Sequence, residues 1–96
     1  MSPLKRKQLN KIRLKLDKLD NSLIKLIKQR TILVNQVLKL KEKKKEIIDN
    51  KRINTILKNI RKKSLINKID PKITNRIWKN MIWAYIDYEK RNFKRK

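Results

Sequence analysis

The sequence predicts an all-α protein of three helices, one of them very long. Three observations predict it. Glycine and cysteine are absent and there are two prolines among 96 residues, a helical composition without disulfides. Apolar residues recur in steps of three and four from Leu9 to Leu40, the period of a single helix face. Asp70-Pro71 joins a helix-capping side chain to the residue best suited to the first helical position.

The first helix is expected from about residue 5 to about residue 42. Its stripe is Leu9, Ile12, Leu16, Leu19, Leu23, Leu26, Arg30, Leu33, Val37 and Leu40, a heptad-like seam. The run "KEKKKE" (41–46) is all charge and reads as a turn or frayed end. A second helix is expected over 49–62, with Asp49 as its N-cap and Ile53, Ile56, Leu57 and Ile60 on one face. It fades at "RKKS", and "SLINKIDP" reads as a loop. The third helix is expected over 71–93 and holds all five aromatics: Trp78, Trp83, Tyr85, Tyr88 and Phe93. Neither a repeat nor a linker divides residues 1–96, so they read as a single domain, with "KRK" (94–96) as a loose tail. At 1.5 Å per residue the first helix is about 60 Å long. Two shorter helices cannot cover such a seam, and a chain this small buries little surface alone. A second copy is therefore expected to cover it, as a homodimer.

The net charge is +22, from 30 basic and 8 acidic side chains. One reading is nucleic-acid binding. The other is compositional drift, since 22 Lys, 15 Ile and 10 Asn stand against one Ala and the lysines are spread along the chain. A dedicated binding stripe would be clustered. Either way, nucleic acid is expected to bind only non-specifically. Histidine is absent along with cysteine, which argues against a metal centre and against Cys-His or Ser-His chemistry. No apolar run approaches the roughly 20 residues of a membrane span, and no apolar segment follows the basic start. The expected location is the cytoplasm.

A few charged residues break the pattern. Arg30 takes a seam position that packing would give to leucine, and a buried guanidinium is costly unless an anion meets it. Lys41 follows eleven residues later on nearly the same face. Arg13 sits at the seam's edge, about 42 Å from Lys41 on a straight helix. It can share a small site with Lys41 only in an antiparallel dimer, where the partner's Arg13 lies beside this chain's middle. Arg52 falls one turn into the second helix. Glu89 closes the stripe Trp78, Ile82, Tyr85, Glu89 on the third. Several cations and one carboxyl, without nucleophile or metal ligand, suit a small polyanion. Such a site can catalyse by holding a reactive conformer and stabilising developing charge.

These residues give the chain a resemblance to the all-α, type II chorismate mutases, covering about Lys11 to Phe93. "IRLKLDKLDNSLIKLIKQR" resembles the family's opening, with an arginine, an I/L-D step, apolar steps and a second arginine. "VLKLK" continues to Lys41, "DNKR" is similar to the family's D-x-x-R, and "IWKNMIWAYIDYE" is similar to its last helix, which ends on Gln or Glu. The resemblance implies an intertwined homodimer with two sites. It implies the Claisen rearrangement of chorismate to prephenate, in phenylalanine and tyrosine biosynthesis, without cofactor or covalent intermediate. By the same resemblance, Arg30 and the partner's Arg13 grip the substrate carboxylates. Lys41 bonds the ether oxygen and a nearby carboxylate, Arg52 supports the carboxylate end, Asp49 meets the ring hydroxyl, and Glu89 reaches the ether oxygen from the other side.

Two positions depart from the pattern. Ile53 stands where the family usually has Glu, and Tyr85 where it often has a small residue. Both are similar to isochorismate-pyruvate lyase, the sister activity on this fold, which forms salicylate; its last position is Gln, however, where this chain has Glu89. Mutase is the favoured reading, with the lyase and a non-enzymatic, nucleic-acid-binding basic dimer as alternatives. The dimer alternative accounts for the charge but not for Arg30 in the seam or Glu89 on an apolar stripe.

Overall fold

The computed structural model describes residues 1–94 and is all α-helical, with three α-helices and one 3-10 turn in the order α1 (Pro3–Leu40), η1 (Lys44–Ile47), α2 (Asn50–Ile66) and α3 (Pro71–Asn92). Lys94, the first residue of the expected tail, is exposed and non-helical; the other two lie outside the described residues. Among the described residues no helix is long and apolar enough to cross a membrane. The chain falls into two units, one of residues Met1–Val34 and one beginning at Asn35.

The first unit is the greater part of α1. It starts two residues earlier than expected, because the side chain of Ser2 caps it. Ser2 Oγ accepts from Lys5 N at 3.2 Å and Ser2 O accepts from Arg6 N at 2.9 Å, with Pro3 at the first helical position. The seam residues Ile12, Leu16, Leu19, Leu23, Leu26 and Leu33 are all exposed.

The second unit holds the last turns of α1, the η1 turn, α2 and α3. Leu38, Ile47, Ile82 and Ile86 form its core, with Ile53, Ile56, Leu57 and Phe93 packed against them. Leu38, which lies off the seam, is the buried residue at this end of α1, whereas Leu40 is 79% exposed. Two faces of α1 are thus apolar here, and the one away from the seam meets α3. The chain from 41 to 46 does turn. Lys41 N donates to Leu38 O, closing α1 two residues short of the expected end, and the Glu46 carboxylate accepts from Glu42 N at 3.0 Å.

Asp49 caps α2 by accepting from Arg52 N at 3.0 Å, and Asp70 caps α3 by accepting from Lys72 N at 2.9 Å. The expected loop "SLINKIDP" is corrected at its start, since Ser64, Leu65 and Ile66 are helical. Tertiary packing extends α2 past residue 62. Ser64 is buried to 3% exposure, its hydroxyl donating to Ile60 O at 2.6 Å and bonding Thr74 Oγ1 of α3 at 2.6 Å. The helix then closes with Ile69 N on Ser64 O and Lys68 N on Leu65 O, the paired bonds of a Schellman motif. That motif needs a left-handed residue, and Lys68 supplies it at φ 56°. The short connection between α2 and α3 lets the two pack together.

Candidate active site

Glu89 belongs to the buried face of α3, after Ile82 and Ile86 in steps of four and three. Its side chain is 8% exposed and bonds Lys41 Nζ at 2.9 Å, with the Lys41 side chain 17% exposed. A carboxylate at such a depth needs an oppositely charged, hydrogen-bonded partner. The ammonium makes it tenable, and the pair joins the end of α1 to α3. Just beside it, Tyr88 donates from its hydroxyl to Asn35 Oδ1 at 2.8 Å. The rings of Tyr85 and Tyr88 meet edge to face, 6.4 Å between centroids and 88° between planes. Tyr85 is half-buried.

The other candidates are placed as follows. Arg52 and Asp49 sit together at the start of α2, both exposed, with Asp49 Oδ1 holding the Arg52 N–H. Ile53 packs against the cluster of Leu38, Ile47, Ile82 and Ile86, so an apolar side chain at this position has a packing reason. Arg30 and Arg13 belong to the first unit. Arg30 is half-buried, in contrast to the exposed run of residues 11–29 before it, and Arg13 is exposed within that run.

Sequence reasoning brought Lys41 and Glu89 into one site, and the structure joins them directly. It missed the Tyr88–Asn35 bond. The available signal was spacing: Tyr88 lies three residues after Tyr85 and one before Glu89, while Asn35 and Lys41 flank Leu38 at steps of three. A polar residue on the same face as a buried leucine needs a partner.

An ammonium and a carboxylate held together among apolar side chains offer one cation and one hydrogen-bonding carboxyl group, which places the chain among all-α proteins whose polar pair is set between helices. It belongs to the chorismate mutase type II family, whose model matches residues 12–90. No curated protein and no solved structure matches the chain. The family match includes all eight candidate positions, from Arg13 to Glu89. Membership supports a chorismate mutase-like function and implies chorismate as the substrate.

Proposed function

We propose that the protein is a chorismate mutase, converting chorismate to prephenate for phenylalanine and tyrosine synthesis, and that it works as a homodimer without a cofactor. The observation that carries this reading is the buried Lys41–Glu89 pair in a chain of this family. In the rearrangement the ether C–O bond breaks as a C–C bond forms, within one molecule, and no group passes to the protein. The protein's task is then to bind the compact, chair-like conformer and its developing charge better than the extended ground state.

In this reading Lys41 donates to the ether oxygen and to the carboxylate beside it. Glu89 reaches the ether oxygen from the other side. Arg30 and the partner's Arg13 grip the carboxylates bidentately, Arg52 supports the carboxylate end, and Asp49 meets the ring hydroxyl. Tyr85 and Ile53 line the pocket. The exposed seam of α1 supports the second copy, because a helix this apolar on one face is not left to solvent.

Absorbance loss of chorismate with product identification is the test. Prephenate formation, abolished by Arg30→Ala, is the expected result. Absence of turnover with chorismate, together with pyruvate and salicylate from isochorismate, would replace the mutase by the lyase. The packing role of Ile53 favours the mutase, since it gives this departure a cause other than substrate choice.

A further inference from the structure

We propose that Tyr88 and Asn35 form a positioning pair that sets the geometry of Lys41 and Glu89. The proposal rests on the functional reading above for its kinetic consequence, but not for its structural one. Asn35 and Leu38 lie three residues apart near the end of α1, and Lys41 follows three residues later, just past the helix. Opposite them on α3, Tyr88 and Glu89 are consecutive. Two polar cross-links therefore tie the same two helices, Tyr88 to Asn35 at 2.8 Å and Glu89 to Lys41 at 2.9 Å, with buried Leu38 between their α1 ends.

The two links differ in what they can tolerate. Lys41 is a flexible four-carbon stem, and its ammonium can bond in many directions. Substrate binding must draw it partly away from Glu89. The Tyr88–Asn35 bond has a rigid ring on one side and a short amide on the other. The edge-to-face contact with Tyr85 steadies that ring. It holds the rotation and height of α3 against α1 while the ion pair rearranges. Without it, Glu89 keeps its burial but not its aim. Small displacements of an aimed group cost far more in turnover than in binding.

Two measurements on the full chain test this. In the first, Lys41→Met, Glu89→Gln and the double variant are unfolded in urea, in the wild-type background and again with Tyr88→Phe. A merely structural Tyr88 would lower the stability of every variant alike and leave the Lys41–Glu89 coupling unchanged. A positioning Tyr88 requires that the coupling, read as a ratio of unfolding constants, fall by several-fold in the Tyr88→Phe background. In the second, kcat and KM for chorismate are measured for Tyr88→Phe, Asn35→Leu and Asn35→Asp. The first two are expected to lose about tenfold in kcat with KM changed less than about twofold. Asn35→Asp keeps an acceptor for the Tyr88 hydroxyl and should keep kcat. An unchanged coupling overturns the proposal whatever the kinetics show. A wild-type chain inactive on chorismate would remove the mutase reading, and the coupling would still decide the positioning role.

Discussion

Glu89 is a carboxylate that stays buried because one lysine reaches it. Taking the lysine away leaves a charge with poor solvation, and breaking a fully buried pair in that manner costs roughly 3–5 kcal/mol. Lys41 keeps some solvent contact, so Lys41→Met should cost less, about 2 kcal/mol, and adding Glu89→Gln should recover part of it. Urea unfolding of the single and double variants measures both. Turnover should respond differently. An ionised carboxylate only accepts hydrogen bonds, whereas an ether oxygen needs a donor. Glu89→Gln places an amide donor at this position and should keep activity, whereas Glu89→Ala should lose it. A Glu89→Gln variant as inactive as Glu89→Ala would mean that no donor is needed at position 89. Lys41 and Glu89 were legible in the sequence because each breaks an apolar pattern. Asn35 and Tyr88 were not, because an asparagine within a helix and a tyrosine on an aromatic helix break none; their bond exists only once residues 53 positions apart are brought together.

Helix ends decide how the three helices meet, and they were legible in proportion to their chemistry. Asp49 and Asp70-Pro71 start α2 and α3 where their capping side chains predict. Ser2-Pro3 carries the same signal at the head of α1, and the structure uses it. The end of α2 was misplaced because the sequence offers no glycine there. Helix C-termini are commonly marked by one, and here the left-handed position falls to Lys68. A residue with a Cβ is held there at a cost of about 1–2 kcal/mol, partly offset by the lower entropy of its unfolded chain. Lys68→Gly should therefore stabilise the protein by about 0.5–1 kcal/mol, raising its melting temperature by about 5 °C. Lys68→Val should lower it, since a β-branched residue tolerates positive φ least. If both variants melt with the wild type, the Schellman turn contributes nothing to the stability of the α2–α3 hairpin. The buried Ser64–Thr74 hydroxyl contact lies next to this turn, so the effect should spread to α3 rather than stay in the connection.

A net charge of +22 on 96 residues acts on the molecule as a whole, and pairing two copies doubles it. The exposed apolar seam of α1 favours association, while the lysines spread along it oppose association by mutual repulsion. Salt weakens that repulsion and leaves apolar burial intact, since the Debye length shrinks from about 30 Å at 0.01 M to about 3 Å at 1 M. The proposed homodimer should thus grow more stable as sodium chloride rises, and its melting temperature should rise with protein concentration at fixed salt. Catalysis should move the other way. An anionic substrate is drawn to a cationic protein by the same field, so kcat/KM for chorismate should fall over the salt range in which stability rises. Calorimetry and initial rates on one preparation, across about 0.05 to 0.5 M salt, give both slopes. Opposite signs would show that one charge distribution both strains the assembly and gathers its substrate. A kcat/KM insensitive to salt would leave the excess lysines without a part in capture, as compositional drift predicts.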